Sequence, residues 1–129
     1  MNRISGQPTI IAYFTMEVGL ESAIPTYSGG LGVLAGDSLR AGAELGIPMV
    51  GVLLLHRKGY FRHHLDASGN QTESPAEWNP EDHMKLEDTR TSVTIEGRQV
   101  LLRAWRYDIS GTDGSDVVVY FLDTSLPEN

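Results

Sequence analysis

The chain has 129 residues, 40% of them hydrophobic, a formal charge of −7 and no cysteine. That length is one domain or part of a larger one, with apolar residues enough for a core and a composition unlike that of a disordered chain. The acidic balance argues against nucleic acid or an anionic membrane surface as main partner, and the absence of cysteine excludes a disulfide framework and a thiolate metal site.

Residues 1–9 lack the apolar core of a signal peptide. The longest apolar stretch, Ile47 to Leu55, falls short of the roughly 20 residues that a bilayer span needs. A cytoplasmic location is the simplest expectation. The first strand signal is Thr9 to Phe14, a continuous apolar run of the kind expected for a strand covered on both faces. Thr15 to Ser28 follows without a clear period, and a connection this long between strand and helix points to function. Gly29-Gly30-Leu31-Gly32 then opens a helix running to about Leu45. Leu31, Leu34, Ala35, Leu39 and Leu45 are expected to face a sheet, and Asp37, Arg40 and Glu44 to pair on a solvated side. Gly46 and Pro48 end the helix, and Met49 to Leu55 is the next strand, parallel to the first across a right-handed crossover.

Beyond this point the pattern changes. Gly59 to Arg62 begins a short extended segment, Asp66 to Asn70 is a turn cluster, and Ser74 to Asp88, with Pro75, Trp78 and Pro80, reads as an irregular loop. Ser92 to Ile95 and Arg98 to Ile109 are strands joined by a tight Glu96-Gly97 hairpin. Asp116 to Leu122 is a further strand with a buried run from Val117 to Phe121, and no helix follows it. The expected class is α/β, a parallel β-α-β start followed by antiparallel hairpins. A sheet strand without its following helix suggests a fragment.

Ser28-Gly29-Gly30-Leu31-Gly32 is the sharpest feature. Glycines at a helix N-terminus let backbone N–H groups approach an anion, typically phosphate, although turn geometry alone also calls for glycine there. No Gly-Lys-Ser/Thr follows, which excludes a P-loop. The glycines also come too far after the first strand for a dinucleotide fingerprint, and no acid follows the second strand to hold a ribose. Glu17 lies just past the first strand, at the sheet edge where ligands bind. It can meet a sugar hydroxyl or a catalytic water, or simply cap the helix. His56, His63, His64 and His83 have no metal-site spacing, so no metal is expected. Arg57, Lys58 and Arg62 form a small anion-binding patch or a solvated strand edge. Trp78, Trp105 and Tyr107 read as core or loop anchors rather than a sugar-stacking platform.

Several stretches, in order, resemble the α-glucan (glycogen, starch, maltodextrin) phosphorylases. Ala12-Tyr13-Phe14-Thr15-Met16-Glu17 is similar to their AYFSMEF motif. Gly29 to Asp37 is similar to their glycine-rich loop and helix in the shorter bacterial branch. Gly51 to Arg62, Asp66 to Gly69 and Phe121 to Asn129 are similar to later segments of that branch. The resemblance implies that residues 1–129 are an incomplete N-terminal domain, with Rossmann-like architecture, of a two-domain GT-B glycosyltransferase that passes glucosyl units between an α-1,4-glucan and phosphate. It implies pyridoxal phosphate as cofactor, with its attachment Lys in the absent C-terminal domain, and it allows a homodimer. Gly29 and Gly30 would offer N–H groups to the substrate phosphate, Leu31 would line the glucosyl pocket, and Glu17 would join the polar network beside it. Ser28 stands where Asn is often found, and Gly19 where many relatives have Tyr, so those contacts do not carry over. No catalytic residue is assigned within the chain. The rival readings are a fragment of a glycogen/starch synthase-type enzyme, which usually has a Lys-x-Gly-Gly-Leu-Gly entry, and a non-catalytic glucan- or phosphate-binding module.

Overall fold

A computed structural model describes residues 9–129. The reading of residues 1–9 as free of a signal core falls almost wholly outside them. Five strands form one mixed sheet: β1 (Ile11–Phe14), β2 (Met49–Leu54), β5 (Lys85–Ile95), β6 (Arg98–Ser110) and β7 (Asp116–Asp123), in the order β1-β2-β7-β6-β5. β1, β2 and β7 run parallel, while β6 and β5 are antiparallel to their neighbours. β3 (Phe61–Leu65) and β4 (Gln71–Pro75) make a separate antiparallel hairpin. One helix, α1 (Gly30–Glu44), links β1 to β2 and packs on β2, β7 and β6. Among the described residues no helix is long and apolar enough to cross a membrane.

The expected α/β start, the parallel pairing of the first two strands and the Glu96-Gly97 hairpin are all present. Both hairpin residues have positive φ, 51° and 76°, the conformation of a type I′ turn. Three expectations are corrected. First, the apolar strands are not covered on both faces. β7 alternates strictly between buried and part-exposed residues, with Val117, Val119, Phe121 and Asp123 inward. In β1, whose one sheet neighbour among the described residues is β2, Ile11 and Phe14 are exposed. Among the described residues, helix packing covers one face of the sheet only.

Second, the helix turns only part of the expected face inward: Ala35 and Leu39 are buried as expected, but the three other leucines are not. Its buried residues are Gly32, Ala35, Gly36, Leu39, Gly42 and Ala43, still at helical spacing but mostly small. Leu31, Leu34 and Leu45 are exposed. The reason is close approach: a Cβ on Gly36 would sit 2.0 Å from the Gly19 carbonyl oxygen, and one on Gly42 2.2 Å from the Met49 sulfur. A helix pressed this tightly onto backbone cannot place leucines there, so small residues form the seam. Third, Glu44 does not pair with Arg40. Arg40 sits 3.7 Å from Asp37, while the Glu44 carboxylate accepts from the Thr112 hydroxyl at 2.7 Å. Two further strand segments were not expected, β4 and the first half of β5, and both are largely exposed.

The core lies between α1 and the sheet. Leu39, Val117, Val119 and Phe121 have no solvent exposure, and Trp105 has 3%. Val18 and Ile24, from the loop before the helix, also belong to it, so that loop is built into the fold.

Candidate functional site

The loop from Thr15 to Ser28 leaves the C-terminal end of β1 and returns to start α1. Its own backbone and side chains pin it. The Val18 N–H donates to the Thr26 carbonyl at 3.0 Å, and the Thr26 hydroxyl returns a bond to the Val18 carbonyl at 2.7 Å. The Gly19 N–H donates to the Gly32 carbonyl at 2.7 Å. Arg40 reaches back from the helix to the carbonyls of Gly19 and Leu20. Tyr107 on β6 donates its hydroxyl to the Glu21 carboxylate, and burial, then that carboxylate, push the Tyr107 hydroxyl up to about 12. Loop and helix start are therefore one rigid body.

Glu17 is the keystone of this arrangement. One carboxylate oxygen accepts the Ser28 N–H at 2.9 Å and the other accepts the Gly32 N–H at 3.1 Å. No side chain caps the helix at Gly29 itself, so Glu17 caps it from 15 residues away in sequence. A carboxylate at a helix N-terminus is favoured by both its N–H bonds and the helix dipole. Capping, one of the two readings left open by the sequence, is present in the structure. The N–H groups of Gly29, Gly30 and Leu31 donate to no partner among the described residues. A Cβ on Gly29 or Gly30 would meet nothing within 4 Å, so this turn of backbone is open to an incoming group.

Glu17 and Leu31 line a cavity of about 410 Å³ together with Tyr13, Phe14, Thr15, Met16 and Leu34. The predicted site residues are thus brought together, with a division of labour. Glu17 holds the loop, Gly29 and Gly30 present bare backbone, and Leu31 supplies an apolar wall. Ser28 contributes only its backbone N–H. Tyr60 was missed by sequence reasoning. It is half-buried, and burial, then the negative charge of Glu17, raise its hydroxyl above the ordinary value, which puts it in the electrostatic reach of the site. Arg40 was assigned to a solvated face; its role of tying the loop becomes visible only once the loop folds back on the helix.

The remaining polar groups are placed elsewhere. Arg57 is not free for an anion: it pairs with buried Asp123 at 2.9 Å, where Arg103 and the Trp105 indole also donate. His63 lies 3.5 Å from Glu73, and His64 bonds Ser74 at 2.7 Å. Among the described residues no three His, Asp or Glu side chains gather as a metal site. Trp78 is a loop anchor as expected, donating its indole N–H to the His56 carbonyl at 3.3 Å, and Trp105 is core.

No family model matches the chain. Among characterised proteins, it is 38% identical over 127 residues to the maltodextrin phosphorylase of Thermococcus litoralis, a match spanning 92% of this chain and 15% of that protein. It is also 38% identical over 130 residues to the glycogen phosphorylase of Mycobacterium tuberculosis, spanning 95% of this chain and 14% of that protein. The glycogen phosphorylase of Aquifex aeolicus is 28% identical over 127 residues. The chain thus spans about a seventh of the length of the first two. The loop, the helix and the strands around the Glu17 cavity all fall within a chain matched over more than nine-tenths of its length, and the likeness read from its motifs is borne out: the chain is a homologue of a stretch of the glycogen and maltodextrin phosphorylases.

Proposed function

We propose that the chain is the N-terminal part of an α-1,4-glucan phosphorylase, a glycosyltransferase that moves a terminal glucosyl unit from glucan to phosphate and releases glucose 1-phosphate. In this reading β1, β2 and β7 belong to the Rossmann-like N-terminal half of a cytoplasmic GT-B enzyme. The carrying observation is the Glu17-braced helix start, which leaves three consecutive N–H groups, on Gly29, Gly30 and Leu31, open at the end of a parallel strand.

The chemistry of that turn suits a phosphate. Aligned N–H groups at a helix N-terminus bind an anion without a cationic side chain. Glu17 itself is negative, so it serves by fixing the loop and not by meeting the anion. Leu31 and Phe14 offer apolar surface to the carbon face of a sugar ring. Pyridoxal phosphate, the cofactor that the resemblance implies, is not anchored by the residues present. The two lysines, Lys58 and Lys85, lie at a different cavity and on β5, and neither lines the Glu17 cavity. In this reading its attachment Lys, and the cations that would complete the phosphate site, belong to a C-terminal domain.

Titrating the isotope-labelled chain with orthophosphate tests the reading. The amide resonances of residues 29–31 are expected to shift in a saturable manner. Shifts spread over the surface, or none at these three amides, would rule it out.

A further inference from the structure

β5 stands at one end of the five-stranded sheet, and β6 is its one sheet neighbour among the described residues. It is exposed along almost its whole length. Such an edge offers a row of unpaired N–H and C=O groups, and proteins usually blunt it with charge, proline or a bulge. Here the bulge, between Leu86 and Arg90, occupies only the first half. The second half, Thr91-Ser92-Val93-Thr94-Ile95, carries no charge and no proline, and all but Ser92 are β-branched, the side chains that strands favour.

The turn decides which groups face the edge. Ile95 and Arg98 close the two-residue Glu96-Gly97 hairpin, so they form a hydrogen-bonded pair, and the pairs alternate from there. Thr91, Val93 and Ile95 therefore bond to β6, while Ser92 and Thr94 turn their N–H and C=O groups to the edge. The side chains sort the same segment by face. Thr91 and Val93 stand opposite Leu102 and Val100, which are buried, and Ile95 lies on that same face. Val93 and Ile95 are 43% and 51% exposed, so an apolar stripe runs off the edge uncovered.

The charges identify the partner. Arg90 lies three residues before Val93 and Glu96 three residues after it. When two copies of β5 pair antiparallel about a two-fold axis at Val93, residues equally far from Val93 meet. Ser92 then exchanges both backbone bonds with Thr94 of the second copy, Thr91 meets Ile95, the two Val93 side chains touch, and Arg90 faces Glu96 at both ends. One register thus serves the edge groups, the apolar stripe and the charges together. A slip of one residue would set Ser92 opposite Val93, whose N–H points back to β6. The present partner of Arg90, Glu128 at 3.5 Å, is a weak tie between two side chains more than half exposed. We propose that β5 is a self-association edge, through which two copies of this chain join their sheets about a two-fold axis. The proposal is independent of the phosphate reading and of the apolar cavity beside β1, which lies at the opposite end of the sheet.

The chain has no cysteine, so introduced thiols report the register. Val93→Cys is expected to give a disulfide-linked dimer on mild oxidation, because the two Cα atoms at the axis come within roughly 4.5 Å. Thr91→Cys or Ile95→Cys alone places like positions roughly 13 Å apart, beyond the reach of a disulfide. Neither is expected to cross-link by itself, whereas a mixture of the two is. Arg90 and Glu96 are exposed, so their substitution spares the core. Arg90→Glu is expected to weaken dimerisation about tenfold in analytical ultracentrifugation, and adding Glu96→Arg to restore it. Phe14→Asp combined with Val93→Cys is expected to leave the cross-link yield unchanged. A Val93→Cys yield no higher than that of Thr91→Cys alone, or a charge swap that fails to recover the dimer, would overturn the proposal. Loss of the cross-link on adding Phe14→Asp would also overturn it, by assigning the contact to the β1 end of the sheet.

Discussion

Asp123 has no solvent exposure, and its ionisation is set by what surrounds it. Burial pushes its carboxyl up, but donors from Arg57, Trp105, Ser125 and Arg103 outweigh that and hold it at about 2. A folded-state value below the unfolded one stabilises the fold above the unfolded value of 3.8, and that stabilisation is lost as pH falls through about 4 to about 2. The shift corresponds to about 2 kcal/mol. Urea midpoints measured between pH 6 and pH 2 are expected to drop steeply at the acid end. Asp123→Asn is expected to flatten that drop and to cost about 3–5 kcal/mol at neutral pH, because Arg57 and Arg103 lose their counter-charge. A pH profile identical to that of the unmodified chain would refute the assignment. Glu17 works on the same scale but nearer the surface. Removing both of its N–H bonds in Glu17→Ala is expected to cost about 1–2 kcal/mol, the range of a lost helix cap, read as a lower urea midpoint. It should also broaden the amide resonances of residues 28–32.

At the scale of elements, α1 is held by what it lacks. Gly36 lies against the Gly19 carbonyl with 2.0 Å to a hypothetical Cβ, while Gly30 has open space around it. Gly36→Ala must push helix and loop apart and is expected to cost about 2–3 kcal/mol. Gly30→Ala is expected to be neutral or to stabilise by up to about 0.5 kcal/mol, since a helical glycine gains by substitution where nothing clashes. Thermal denaturation of the two variants checks the contrast, and equal effects would mean that the seam is not tight. This seam also shows where sequence patterning failed. Periodicity found the helix within one residue at either end, because Gly29 and Gly46 punctuate it. It placed Ala35 and Leu39 on the buried side correctly but added Leu31, Leu34 and Leu45, because leucine normally marks that side and here glycine fills most of it. β1, β2 and β7 were legible from their apolar runs, and the β5–β6 turn from Glu96-Gly97. β4, with the sequence Gln-Thr-Glu-Ser-Pro, was not, since a hairpin exposed on both faces has no apolar alternation to read. The Glu17 brace was legible as a candidate only. Its two partners lie 11 and 15 residues away, a distance that no local pattern encodes.

At the scale of the whole molecule, apolar surface is left uncovered beside the proposed phosphate site. Phe14, Met16, Leu31 and Leu34, each more than 60% exposed, meet around one cavity beside β1, which among the described residues pairs with β2 alone. Contiguous apolar patches of this kind mark contact surfaces. The chain is expected to associate as its concentration rises, and Phe14→Asp to suppress this in sedimentation velocity; a monomer at every concentration would argue against it. The same uncovered site bears on catalysis. Three N–H groups hold an anion but neither protonate a glycosidic oxygen nor steer phosphate onto the glucosyl carbon. Those tasks need groups aimed from the opposite side of the anion, and positioning together with electrostatic stabilisation supplies most of an enzymatic rate. In the cavity beside that turn, Glu17 is already engaged by two N–H bonds, Tyr13 and Thr15 add hydroxyls, and the other lining side chains are apolar. Incubated with glycogen and orthophosphate, the 129-residue chain is therefore expected to release no glucose 1-phosphate above the blank in a coupled assay, even where orthophosphate shifts the amides of residues 29–31. Detectable turnover by the pure chain would show that a complete catalytic set lies within these residues.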